Sequence, residues 1–188
     1  RPEAEGDPEE GDPAGNRMTY TLNAAGERIR EETKDSSGAL LRTLGRTYDA
    51  LGRLQTQSDA ELRPTTFGYD NEDHLTLTTD ALGRKTANTY DALGRLKATL
   101  QDVDGVAAQT QFQYDAQDRL TQVLDPSGLP TSYTYNGFGE VLVQQNQDTG
   151  LTTSTYDEAG NLKTRTDARG ITVTYAYDAS GARILRRT

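Results

Sequence analysis

The reactive side chains of this 188-residue sequence are few: a single histidine, His74, no cysteine, and aspartates and tyrosines that recur at regular spacing. A Ser-His-Asp triad could use only His74. That residue sits in "YDNEDHL", at a recurring position more often held by arginine, and reads as a solvated strand residue. Asp102 and Asp104 begin like a calcium loop, but Gln113 stands where the loop's twelfth-position glutamate belongs, and a turn accounts for the pair. "GLTTSTYDEAGN" contains glycine yet lacks the lysine and spacing of a phosphate loop. The recurring aspartates each occupy a turn-initiating place, and successive copies along a sheet would stand about 10 Å apart, too far to share a metal ion. The sequence therefore predicts no catalytic residue, no metal site, no cofactor and no enzyme activity. A row of tyrosines on one face could bind sugars, although a packing ladder explains the same row.

Composition narrows the class further. Apolar residues make up 33% of the chain, too few to fill a thick two-layer core. Aromatic surface is almost all tyrosine, 10 Tyr against 3 Phe and no Trp, which suits half-buried sheet faces. The absence of cysteine removes disulfide frameworks, thiolate metal sites and cysteine nucleophiles. The net charge is −9, and residues 1–19 form an acidic Pro/Gly-rich leader: Glu3, Glu5, Asp7, Glu9, Glu10 and Asp12 face only Arg1 and Arg17. No basic stripe supports nucleic-acid binding, and no apolar run is long enough to span a membrane. The numbering opens on Arg1, which suggests a processed chain or an excerpt of a longer one.

The elements follow from a repeat. Aligned on tyrosine, copies begin at Tyr48, Tyr69, Tyr90, Tyr114, Tyr135, Tyr156 and Tyr177, at intervals of 21, 21, 24, 21, 21 and 21 residues. Two copies share the heptapeptide "YDALGRL" letter for letter, and "LNAAGERI" at Leu22 to Ile29 is a degenerate further copy. A second mark lies ten residues before each tyrosine: Asp59, Asp80, Asp125 and Asp167, with Asn146 in one copy. Gly83, Gly128 and Gly170 follow three positions later, and "DVDG" supplies the same feature in the longer copy. Asp at the first and Gly at the fourth position predict type I turns with a glycine bulge.

Each repeat then predicts two strands of about six residues. Asp91 should pair with Arg95, and Tyr90 should oppose Leu96. The positions expected to build the repeat are the seven tyrosines, Asp49, Gly52 and Leu54, Asp91, Gly94 and Leu96, and the later turn glycines Gly160 and Gly181. The arginine of the heptapeptide is left facing outward. Counting in twos places Tyr69 with Phe67, Tyr114 with Phe112, and Leu120 with Gln122 and Leu124 on one apolar face, and Thr66, Thr89, Thr134, Thr155 and Thr174 on a wetted one. "GERIREETK" has helical charge patterning, but its place in the repeat predicts a strand. The expected fold is an all-β repeat protein over residues 20–188, seven to eight tandem hairpins in one continuous twisted strip.

The Tyr-Asp-x-x-Gly-Arg-Leu element, recurring with Asp-x-x-Gly between copies, resembles the RHS (YD) repeat family from about Leu22 to the C-terminus. The resemblance implies hairpins coiled side by side into a spiralling strip. In bacterial polymorphic toxins, insecticidal toxin complexes and teneurins that strip closes as a hollow shell, which in the bacterial cases encloses a C-terminal toxic domain. Asp73 and Asp118 replace the turn glycine, and "YNGFGEV" lacks the Asp and Arg; in turn terms these are conservative departures. "DPSGLP" at Asp125 to Pro130 superficially resembles the family's self-cleavage segment but sits in an ordinary turn slot.

Two non-enzymatic functions follow. The chain is either wall in a shell that isolates a toxic cargo, or a secreted or cell-surface subunit that polymerises edge to edge into a filament. Carbohydrate binding is a third possibility. The expected partners are further repeats or copies of the chain through strand edges, an enclosed toxin domain, or glycans.

Overall fold

A computed structural model describes residues 4–5, 15–178, 181 and 183–187. The leader acids Glu3, Asp7, Glu9, Glu10 and Asp12, and Ala179, Ser180 and Ala182 of the last turn, lie outside the described residues. The strands are β1 (Ala4–Glu5), β2 (Arg17–Leu22), β3 (Arg28–Lys34), β4 (Leu40–Tyr48), β5 (Leu54–Ser58), β6 (Pro64–Tyr69), β7 (Leu75–Thr79), β8 (Lys85–Tyr90) and β9 (Leu96–Gln101). They continue with β10 (Ala108–Tyr114), β11 (Leu120–Leu124), β12 (Pro130–Tyr135), β13 (Val141–Asn146), β14 (Gly150–Tyr156), β15 (Leu162–Thr166), β16 (Thr172–Tyr177) and β17 (Arg183–Arg187). The chain divides into two compact units, residues 1–88 with 101–107, and residues 89–100 with 108–188. In the first, β2 to β8 pair antiparallel in chain order, and β1 adds to β2. In the second, β10 to β17 do the same. The all-β architecture of tandem hairpins is as expected, and "GERIREETK" forms the turn end and β3.

The turns set the register. Tyr48 opposes Leu54, Tyr69 Leu75, Tyr114 Leu120, Tyr135 Val141 and Tyr156 Leu162. In the second identical heptapeptide, Asp91 N–H donates to the Arg95 carbonyl at 2.9 Å, Gly94 N–H donates to the Asp91 carbonyl at 3.0 Å, and Gly94 takes φ 76°. One face is drier than the other: in β10 and β14 alternate residues, including the tyrosines, are half-buried while those between them are exposed.

Beyond the leucine, counting in twos fails. Phe112 opposes Val123, while Gln122 and Leu124 pair with Gln113 and Gln111 on the wetted face. The cause is a second irregularity just after each such turn, where one extra residue bulges: Gln55, Thr76, Thr121, Leu142 and Lys163. A one-residue bulge reverses which face the rest of the strand presents. "DVDG" departs as well. The left-handed residues are Asp102 (φ 52°) and Ala107 (φ 53°), and Gly105 is not among them. The wider loop closes through Ala107 N–H on the Asp102 carbonyl at 3.0 Å.

Ala98 is the one buried hydrophobic residue among the described residues, and no polar residue is buried. No helix among the described residues is long and apolar enough to cross a membrane.

Leu62 exposes a cost that the turn grammar carries. It fills the glycine place of the Asp59 turn at φ 58° with 80% of its surface exposed, while its N–H donates to the Asp59 carbonyl at 3.1 Å. A left-handed non-glycine residue costs about 1–2 kcal/mol, partly offset by glycine's greater freedom in the unfolded chain. Leu62→Gly is therefore expected to raise stability by about 0.5–1 kcal/mol in urea unfolding; a loss of stability would contradict the assignment of strain.

Candidate functional site: the stapled turn edge

Each turn is built on its first side chain. Asp49 Oδ1 accepts from the backbone N–H of Leu51 and Arg53 at 2.9 and 3.0 Å, and its Oδ2 accepts from Arg53 Nε at 2.7 Å. Asp91 with Arg95 and Asp115 with Arg119 repeat the pattern at the same 2.7 Å. The second turns use it too, through Arg63 on Asp59 and Arg84 on Asp80.

The arginine then reaches the next repeat. Arg53 Nη1 donates to the Asp70 carbonyl at 2.9 Å, Arg95 Nη1 to the Asp115 carbonyl at 3.0 Å, and Arg119 Nη1 to the Asn136 carbonyl at 2.9 Å. Each guanidinium also lies over the tyrosine just before that carbonyl, 4.8 Å from Tyr69, 4.9 Å from Tyr114 and 5.0 Å from Tyr135. The tyrosine answers in the opposite direction. Tyr69, Tyr114, Tyr135, Tyr156 and Tyr177 donate their phenols to the carbonyls of Leu54, Leu96, Leu120, Val141 and Leu162 at 2.6–3.0 Å, and Tyr48 donates to that of Arg28 at 3.0 Å. The outward-facing arginine expected from sequence is thus corrected: its side chain is half-buried and ties two repeats together.

Departures from the repeat make chemical sense in pairs. Asp73 and Asp118, left-handed at φ 66° and 61°, receive Arg53 and Arg95 of the preceding repeat at 2.7 and 2.8 Å. In two turns that begin with asparagine, glutamate takes the arginine place: Asn23 donates its amide to Glu27, and Asn136 donates to Glu140. Donor and acceptor have exchanged ends. His74 keeps the arginine's role within its turn, its Nδ1 3.0 Å from Asp70 Oδ2 with 27% of the side chain exposed, so it is not a freely solvated residue. These swaps were visible in "LNAAGERI" and "YNGFGEV" as paired changes four positions apart.

Among the described residues one group gathers possible metal ligands, Asp70, Glu72 and His74, within 4.8 Å of one another. Asp70 there already accepts from the backbone of Glu72 and His74 and from the imidazole, as its counterparts do in other turns. Asp102 closes its own loop, and Asp104 pairs with Lys85 at 2.7 Å. Six of the tyrosine phenols, and the rings of Tyr69, Tyr114 and Tyr135, are engaged between repeats. Of the remaining expected positions, Tyr90 is half-buried and Gly52, Gly160 and Gly181 are left-handed at φ 77°, 82° and 80°.

Nine turn carboxylates are shifted in the same direction. The Arg53 side-chain bond, then the Arg53 N–H, hold Asp49 below the usual carboxylate range. Burial pushes Asp91 and Asp115 up, but their bonds from Arg95 and Arg119 outweigh it. Asp35, Asp59, Asp70, Asp80, Asp157 and Asp167 are lowered as well. Lowered carboxylates mean that the unfolded chain binds protons first on acidification. Their contribution is complete above the ordinary Asp value of about 3.9 and is lost as pH falls through it toward the lower folded values. Thermal melts should therefore be flat from about pH 7 to about pH 5 and fall steeply below about pH 4. A Tm unchanged down to about pH 3 would contradict the role given to these turns.

The sequence matches the Teneurin YD-shell family over residues 43–188, most of the chain. No curated protein matches it. Among solved structures, TcdB2-TccC3-TEV superposes with a TM-score of 0.75 at 19% identity, covering 94% of this chain and 11% of that one. A crystal structure of TcdB2-TccC3 gives 0.71 at 20% identity over 88% and 11%. The Tc holotoxin pore of Photorhabdus luminescens, with a mutation in TccC3, gives 0.73 at 18% over 92% and 11%. This chain spans about 11% of the length of those chains, and at such identity the likeness is one of fold. Repeat, turns and family match agree: the chain belongs to the Teneurin YD-shell family.

Proposed function

We propose that this chain is a length of wall in a non-enzymatic β-shell, secreted or displayed at the cell surface, whose tyrosine-bearing face lines an interior holding a polypeptide toxin. The observation that carries this reading is the state of that face. Its Tyr and Phe positions in β10 and β14 are only half-buried, with Ala98 the one buried hydrophobic residue among the described residues. Apolar rows left in that state favour contact with something other than water, and an enclosed polypeptide supplies it. The opposite face carries threonines bonded to one another, Thr47 to Thr56 at 2.7 Å and Thr155 to Thr164 at 2.6 Å, a surface suited to solvent. Family membership supports the same reading.

The absence of native cysteine allows a clean test by labelling the assembled protein with a bulky polymer maleimide. Thr153→Cys, on the exposed face of β14, should label at once. Ser154→Cys, on the half-buried face, should label only after denaturant opens the particle. Equal labelling of both, or uniform fibres in place of hollow particles by negative-stain microscopy, would overturn the shell.

A further inference from the structure

Three repeat boundaries show the same seat for a guanidinium: a tyrosine ring beneath it and the following residue's carbonyl as acceptor, with a carboxylate of the receiving turn, Asp73 or Asp118, added at two of them. Arg53, Arg95 and Arg119 fill these seats from the preceding repeat. At the next boundary the ring and the carbonyl recur and the arginine is missing, because Glu140 holds its place; the carboxylates at hand there are Glu140, Asp157 and Glu158 in place of the turn aspartates. Tyr156 supplies the ring. The Asp157 carbonyl accepts from Gly160 N–H at 3.1 Å, as in the other turns, and among the described residues it receives no arginine.

Glu140 does not close the gap. One oxygen accepts from the Asn136 amide, and the other is directed at Gly160, where a Cβ would lie 3.1 Å from it. What remains is a cavity of about 700 Å³ lined by Phe138, Glu140, Tyr156, Asp157, Glu158 and Gly160 among others. Three carboxylates border it and no lysine or arginine does. Lys163, which acts on Asp157 through space, is not part of the lining. Phe138 stands at the mouth with 93% of its surface exposed, unexplained by any packing role in its own turn.

We propose that this cavity is a docking site for an arginine side chain presented by a partner polypeptide, which would occupy the place that Arg53, Arg95 and Arg119 hold at their three boundaries. The occupant is argued by analogy within the molecule and by charge: a planar cation matches a ring face, a carbonyl and flanking carboxylates, and Phe138 can cover the apolar stem. The inference does not depend on a closed shell.

A blocked Gly-Arg-Gly peptide titrated into the full chain, with Phe138 and Tyr156 ring resonances followed by NMR, tests it. Glu27 stands in the same slot ahead of Tyr48, so local readout separates the two positions. The arginine peptide should shift both resonances, and the neutral citrulline isostere should bind at least about tenfold more weakly. Asn136→Asp with Glu140→Arg, which fills the seat from within, should abolish the shifts. Should that pair fold poorly, Glu158→Gln should still weaken binding several-fold. Equal binding of the two peptides, no binding of either, or unchanged affinity in these variants would overturn the proposal.

Discussion

A phenol that must meet a carbonyl one repeat back is the constraint on which the rest of the structure depends. Each tyrosine from Tyr48 to Tyr177 whose phenol contact is resolved donates to the carbonyl opposite the preceding repeat's tyrosine or its equivalent. The bond fixes the offset between neighbouring hairpins as well as their pairing. That offset cannot be left to core packing, because there is almost no core to pack. The ring must lie flat enough to reach back, and a flat ring offers its other face to the guanidinium of the previous turn. At the boundaries of Arg53, Arg95 and Arg119, tyrosine and arginine thereby close one loop of contacts, each supplying what the other's repeat lacks.

The turn aspartate makes this loop possible. By accepting from two backbone N–H groups and from the arginine Nε, it holds both the turn and the cation in one geometry. Such exposed ion pairs contribute little to stability singly, and their value here is in orientation. This explains why the chain tolerates chemically opposite solutions. Asn136 with Glu140 preserves the turn by reversing donor and acceptor, but a carboxylate cannot donate to the next repeat's carbonyl as the arginines do. Asp73 and Asp118 accept left-handed geometry in return for a second partner for the preceding arginine. Variation along the repeat therefore records which boundaries an arginine of the preceding repeat closes and which it does not.

How much of this the sequence disclosed depends on how local each feature is. The turns at Asp49 and Asp91 and the Tyr48–Leu54 register were legible because Asp, Gly and the flanking pair lie within seven residues. The bulge after each leucine was not, since Gln55, Thr76, Thr121, Leu142 and Lys163 share no chemical character and the shift arises from the coiling of paired strands. Arg53 was misjudged for another reason: its partners Asp70 and Asp73 lie 17 and 20 residues away, a distance that only the stacked hairpins bridge. Leu62 and Ala107 show where tertiary pairing overrides local preference, forcing residues with poor left-handed propensity into glycine's conformation.

Tyr135 and Tyr133 allow the central claim to be measured within one strand. Both rings lie on the same face of β12, but Tyr135 donates to Leu120 at 2.6 Å whereas no phenol bond accompanies Tyr133 among the described contacts. Burial also pushes the Tyr135 phenol's pKa up, with the neighbouring Tyr133 adding to it. Comparing Tyr135→Phe with Tyr133→Phe by denaturant unfolding removes one hydroxyl in each case and leaves the ring packing alone. The account predicts a loss of about 1–2 kcal/mol for Tyr135→Phe and a change within about 0.5 kcal/mol for Tyr133→Phe. Equal effects at the two positions would contradict it.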